Sequence, residues 1–229
     1  HLLTQNEIVA QTPFEDRIGF GGWSIDLHPP QGMYAAEGGS KHLHPDGVYH
    51  IPFGCLYSRN MDNLLFAGRN ISATHIAFGS TRLMATCAVM GEAAGAAAAM
   101  SVVKHISPAE LHQRYMHELQ QEMLRADASM IGIQLAHPDN LAHQAVVTAS
   151  GYAQHIGIEE SDQLEAFPLT TDAAVLFPVD PVFDGLECLV SAQQHTTLRV
   201  EVWDTGKAEN YIPHECQATV EVDIQAGDR

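Results

Sequence analysis

The run NLLFAGRNISATHIAFGSTRLMATCAVMGEAAGAAAAM, Asn63 to Met100, constrains this chain more than any other stretch. A short apolar segment ends in Ala67-Gly68-Arg69, a polar loop follows, and then comes a tract of Ala, Gly, Cys, Met and Val. Gly68 has no Cβ, so a ligand or another backbone is expected to approach it closely. In the tract, Gly91 and Gly95 are four apart, among Ala88, Ala94, Ala98 and Ala99. A glycine inside a helix costs about 1 kcal/mol relative to alanine. Close approach of the helix to a sheet or a flat ligand is the expected compensation. Leu83 to Val103 is also long enough to cross a bilayer and carries one charge, Glu92. However, Ala and Gly drive insertion weakly and a central carboxylate opposes it by about 2–3 kcal/mol, so a packed helix is expected instead.

The flanking pattern predicts the surrounding elements. Trp23–Leu27 reads as a short strand stopped by Pro29-Pro30, and PDGVYHIPF as a turn followed by an extended segment. Asn63–Ala67 reads as a strand buried on both faces in a parallel sheet. The small-residue helix is expected to start at Ser80 or Thr81 and to run to about Lys104. A second helix opens with a capping box, Ser107 at the N-cap, Pro108 at N1 and Glu110 at N3. Its Leu111, Tyr115, Leu119 and Met123 form one apolar stripe. Beyond about residue 130 the segments AVVTASGY, AAVLFPV, LECLVSAQ, TTLRVEVWD and ATVEVDI are short, alternating and β-branched, the pattern of an antiparallel sandwich. The expected class is α+β, with residues 1–130 forming the first domain. Residues 131–229 are expected to form a β-sandwich-like accessory domain that is itself cut short.

The chain has 229 residues, 45% of them hydrophobic, enough for a real core without disulfides. Eleven Lys and Arg against 28 Asp and Glu give a net charge of −17, which argues against nucleic acid and anionic membrane as partners. The four cysteines show neither CxxC nor zinc spacing. KHLHPDGVYH holds an H-x-H and a third histidine, yet surface or loop histidines are the expectation, and no metal site is assigned.

A helix N-terminus presents unpaired N–H groups and partial positive charge, suited to a phosphate or to a ring that becomes anionic on reduction. The loop Asn70–His75 sets amide, hydroxyl and imidazole groups just before it. Taken alone, these features also fit a helix packed on a sheet with no ligand.

At DNLLFAGRNISATHIAFGSTRLMATCAVMGEAAGAAAA the sequence resembles the C-terminal flavin-binding segment of FAD-dependent oxidoreductases related to fumarate reductase flavoproteins. More narrowly, it is similar to a bacterial group labelled xanthan-lyase-like. LTQNEI, GGWSIDLHPPQG and YHIPFGCLYSRNMDNLLFAGR follow that group in order, and the likeness spans residues 1 to about 180. It implies FAD as cofactor and flavin contacts from Gly68, Arg69, Asn70, Ser72, Thr74, His75, Gly79, Ser80, Thr81 and Arg82. The family's G-x-G-x-x-G fingerprint is missing, since GFGGWS does not supply it. The resemblance therefore implies a C-terminal portion, inactive without an N-terminal half or partner chain that grips the ADP moiety.

For the chemistry beside a flavin, His28 is the first candidate base or substrate ligand, two residues from Asp26 and on one strand face with it. That spacing is long for a direct bond unless the Pro-Pro stop bends the chain. His75 is the second candidate, and Tyr49 and His50 border the same region. Cys87 reads as packing within its helix, and Cys55 as a loop thiol near the flavin. The leading expectation is an oxidoreductase acting on a small organic or carbohydrate-like substrate. The rival is a β-sandwich binding module with a vestigial flavin segment.

Overall fold

The computed structural model describes residues 1–148, 168–179 and 185–227. These form two compact units, one of residues 1–138 with 200–220, the other of residues 139–199 with 221–229.

The first unit holds the core. Helix α1 (Gln5–Val9) is capped by Thr4, whose hydroxyl accepts from the Glu7 N–H while the Glu7 carboxylate accepts from the Thr4 N–H, a full capping box. Strand β1 (Arg17–Gly21) pairs antiparallel with β4 (Tyr49–Pro52), and β2 (Ile25–Leu27) with β3 (Lys41–Leu43). Helices α2 (His75–Thr81), α3 (Met84–Lys104), α4 (Pro108–Arg114) and α5 (Met116–Arg125) complete it. Small antiparallel sheets with separate helices make this an α+β protein, as expected.

One face of α3 enters the core through Thr86, Met90, Ala93, Ala94 and Ala97, a helical stripe packed on β1, α4 and α5. Leu111, Leu119 and Met123 are fully buried, with Tyr115 at the margin, so the stripe read from sequence is the one that packs. The Ser107 capping box forms completely, with the Ser107 N–H donating to Glu110 and the Glu110 N–H to Ser107.

Several elements differ from expectation. The small-residue helix does not start at Ser80 or Thr81: those two residues close α2, which Thr74 caps, and the chain breaks at Arg82–Leu83 before α3 begins. Thr74 has the same capping hydroxyl as Ser80, and an apolar run without a pause gave no sign of the corner. The second helix breaks at Tyr115, whose φ of −132° leaves the helical region. Asn63–Ala67 is not a doubly buried strand. It folds back on the preceding loop, with the Phe66 N–H donating to the Leu56 carbonyl and Leu65 bridging Tyr57, and its side chains are half-buried to exposed. Gly91 and Gly95 face open space, where an added Cβ would meet nothing within 4 Å. Helix α3 is long and apolar enough to cross a bilayer by length and composition; its buried stripe packs on β1, α4 and α5.

Of the five alternating segments after residue 130, TTLRVEVWD is β5 (Thr196–Asp204) and ATVEVDI lies in β6 (Glu215–Ile224), together a two-stranded sheet. AAVLFPV and LECLVSAQ form no strand, and AVVTASGY lies partly outside the described residues. Every β6 residue except Ile224 is exposed, so alternation here does not mark a buried face, and no second sheet faces this ribbon among the described residues. In the second unit, Thr197 donates to Asp223 at 2.7 Å and the Gly227 N–H to the Ala192 carbonyl at 3.0 Å.

Candidate functional site

The Gly68–Asn70 turn is a 3-10 turn with Gly68 at φ +80°, a conformation that only glycine adopts without strain. Its neighbour is the first turn of α3: a Cβ on Gly68 would sit 3.6 Å from Cys87 Cβ, ordinary contact. The left-handed backbone by itself requires glycine there. The loop after the turn is clamped by the N-terminal segment, with the Thr74 N–H donating to the Leu3 carbonyl and the Leu3 N–H to the Ser72 carbonyl. This clamp leaves Asn70 and His75 exposed, and Arg69 exposed above the Phe78 ring at 5.4 Å. Leu83, the residue before α3, offers no side-chain cap. The outcome is an open ledge with a polar rim beside an uncapped helix end.

Three residues expected on the ligand side are occupied elsewhere. A Cβ on Gly79 would sit 2.8 Å from the Asp26 carbonyl oxygen, so this glycine lets α2 lie directly on β2. The Ser80 hydroxyl is buried between the Tyr49 hydroxyl at 2.6 Å and the Trp23 carbonyl at 2.7 Å. Burial pushes the Tyr49 phenol up to about 12, with the Ser80 bond only partly offsetting it, so Tyr49 is a neutral structural group. Thr81 is buried at the corner between α2 and α3, and its Oγ1 has no partner there. Cys87 packs behind the Gly68 turn, where burial raises its thiol pKa against the pull of Arg69. Cys55 is fully buried and pushed up to about 12 by that burial, and so is no nucleophile.

Arg82, the residue after α2, turns toward β2. Its Nη2 donates to Asp26 Oδ2 at 2.9 Å and to His28 Nε2 at 3.0 Å. His28 Nε2 also lies 3.3 Å from Asp26 Oδ2, so the two side chains do meet. Gly39 offers only a carbonyl, so His28 Nδ1 donates to it at 3.0 Å, which leaves Nε2 facing both Arg82 and Asp26. His42, on β3, extends the cluster: its Nδ1 bonds the Ser24 hydroxyl at 2.8 Å, and its Nε2 lies 3.7 Å from Asp26 Oδ1. Asp26 Oδ1 is buried without a hydrogen bond. His75 stands on the ledge, apart from these groups in every hydrogen bond they make. No group of three or more His, Cys, Asp or Glu positioned for a metal occurs among the described residues.

Two features were missed from sequence. Tyr211, distant in the chain, donates its hydroxyl to the Gly22 carbonyl at 2.7 Å and so joins Trp23, Ser24, His42 and His44 around one cavity. A second constellation links Asp16, His112 and Tyr57. Asp16 Oδ2 lies 3.0 Å from His112 Nε2 and accepts from the Gly54 N–H, while the Tyr57 hydroxyl meets His112 Nδ1 at 2.9 Å. Burial raises the Asp16 carboxyl pKa, but the bonds from His112 and Gly54 outweigh burial and hold it below its ordinary value. The helix break at Tyr115 also brings His112 and His117, five apart, to one cavity wall.

His50 points to a pH effect. Burial first, then the Arg17 charge, lowers its pKa, with Lys207 acting the same way and Glu209 opposing. Its Nδ1 accepts from the Phe14 N–H, which the protonated ring cannot do. A lowered folded pKa means that the unfolded chain binds the proton first. Stability is therefore full above about 6.5, the ordinary histidine value, and falls as pH drops from there toward the folded pKa. Thermal melts between neutral and mildly acidic pH should show a shallower acid loss for His50→Gln than for the parent. Identical slopes would discard this account.

Residues 1–123, somewhat more than half of the chain, match the model of a family described as FAD dependent oxidoreductase. No curated protein and no solved structure matches the chain.

Proposed function

The chain belongs to the FAD dependent oxidoreductase family, and from that premise we propose that it forms the flavin- and substrate-facing part of an enzyme that oxidises or reduces a small organic or carbohydrate-like molecule. The observation that carries this reading is the ledge where the Gly68–Asn70 turn abuts the uncapped first turn of α3. FAD, when bound, supplies the hydride or electron acceptor. The residues that fit it are Arg69, Asn70 and His75, with the free amides at the start of α3 suited to partial negative charge. Ser72 and Thr74 hold the ledge through their backbone, whereas Gly79, Ser80 and Thr81 shape the corner behind it. Arg82 belongs with His28 and Asp26 on the substrate side. There His28 is the proposed proton acceptor, with Asp26 and Arg82 positioning its ring.

The finer affinity we favour is with fumarate-reductase-related, xanthan-lyase-like bacterial enzymes, on the motif order described above. The absent G-x-G-x-x-G leads us to propose that an N-terminal half or partner chain grips the ADP moiety and covers the outer face of α3. That face is built for close packing, with Gly91 and Gly95 flanked by exposed Ala88, Ala98 and Ala99, and Met84 and Val102 are 90% and 73% exposed.

The experiment is flavin retention by the complete gene product purified without added cofactor. Arg69→Ala should lower retention about tenfold, the loss of one charge-assisted contact, while thermal stability changes little because the Arg69–Phe78 contact is exposed and worth about 0.5–1 kcal/mol. A colourless product that takes up no FAD on reconstitution refutes the oxidoreductase reading. Unchanged retention in Arg69→Ala refutes the ledge.

A further inference from the structure

The cavity beside the Asp26 cluster has a volume of about 500 Å³, within the range of small-molecule sites. Its walls are Gly22, Trp23, Ser24, His42, His44 and Tyr211. Two flat π faces border it: Trp23 is 49% and Tyr211 41% exposed. The Tyr211 hydroxyl is committed to the Gly22 carbonyl, so the ring is held in place and its donor is already used. The polar groups are a hydroxyl and two stacked imidazoles, His42 and His44, with ring centroids 6.0 Å apart. None of the lining side chains carries a permanent charge, and Asp26, which faces His42, is paired with Arg82.

From this chemistry we propose that the cavity binds a neutral polyhydroxylated ring, a pyranose-type sugar, stacked on Trp23 and Tyr211 with its hydroxyls on Ser24, His42 and His44. A ring of this kind has apolar C–H faces and an edge rich in both donors and acceptors, matching aromatic walls with an imidazole rim. An anion would meet a chain of net charge −17 with no free cation in the pocket. A cation would gain from the aromatic faces but lose whenever either histidine is protonated. A wholly apolar ligand would leave the His44 ring nitrogens without water or partner, whereas Ser24 and His42 already bond one another. Tyr211 lies outside residues 1–123, the family-matched span, so the residue that completes the pocket comes from a part of the chain that the family does not define.

This inference rests on the oxidoreductase reading and names the substrate class for it; the cavity wall His42 and the His28–Arg82 pair share one partner, Asp26. The test uses the complete gene product carrying Trp203→Phe, which leaves Trp23 as this chain's only tryptophan reporter. Its fluorescence is titrated with methyl glycosides of glucose, galactose and mannose, with choline and nicotinamide as cationic and flat aromatic comparators. At least one glycoside should bind saturably, and Tyr211→Ala and His44→Ala should each weaken it about tenfold or more. Tyr211→Phe, which keeps the ring, should retain most of the affinity. Binding of choline or nicotinamide in place of every glycoside overturns the assignment, as does glycoside binding that neither variant alters. His44 is exposed, so its variant keeps the test decisive if Tyr211→Ala unfolds. Flavin absorbance is read on the same samples. FAD retained with no glycoside bound sinks this inference alone, whereas glycoside bound by a chain that never takes FAD sinks the oxidoreductase reading alone.

Discussion

Gly79→Val is expected to lower the unfolding free energy by about 3 kcal/mol, the upper end of what overpacking costs. The first added carbon would stand 2.8 Å from the Asp26 carbonyl oxygen and 3.3 Å from its nitrogen, both backbone atoms that cannot swing aside. Helix α2 must then lift from β2, drawing Arg82 off Asp26 and opening the cluster around His28. Gly79 has no positive φ, so the effect is one of space and not of backbone conformation. Gly91→Ala and Gly95→Ala are the opposite case. An added Cβ at either meets nothing, and each should gain up to about 1 kcal/mol from helix propensity. Urea unfolding of the three variants gives the comparison. A Gly79→Val chain within 1 kcal/mol of the parent would mean that α2 and β2 are not in this contact.

The second large effect concerns Asp26. Its carboxylate is 14% exposed and joins Arg82, His28 and His42, three groups from three segments of the chain. Asp26→Ala leaves the Arg82 guanidinium, 25% exposed, without its 2.9 Å partner. We expect a loss of about 1–3 kcal/mol, since a charged donor is stranded in a half-buried site. Arg82→Ala leaves the carboxylate stranded in turn, and the double variant should lose less than the sum, by about 1 kcal/mol. Additive losses in the double-mutant cycle would show that the two side chains do not share a bond in solution.

The parts of this fold that could be read from sequence are those governed by local rules. The Ser107–Glu110 box and the Leu111, Leu119, Met123 stripe follow from spacing along one helix, and the structure reproduces both. The helix start was not legible, since Thr74, Ser80 and Thr81 all carry a capping hydroxyl and only tertiary contact selects one. The pairing of β2 with β3 rests on three residue pairs, too few for any periodicity to show. Asp26 with His28 was visible as a two-residue spacing, but His42, Arg82 and Tyr211 reach the same region from tens to nearly two hundred residues away. The H-x-H at His42 and His44 invited a metal reading, whereas the structure stacks the rings and gives one of them to Ser24.

The segment from Thr205 to Tyr211 is tied to itself and to the rest of the first unit at separate points. Asn210 donates to the Thr205 carbonyl and receives Gln11, and the Tyr211 N–H reaches the Asp46 carbonyl. This divides the molecule's tasks between stretches that can change independently. Edits confined to that short loop alter one wall of the cavity while the ledge, built from Leu3, Gly68–His75 and α3, keeps every residue. The cavity lining can therefore drift by loop variation alone, with the ledge carried along unchanged.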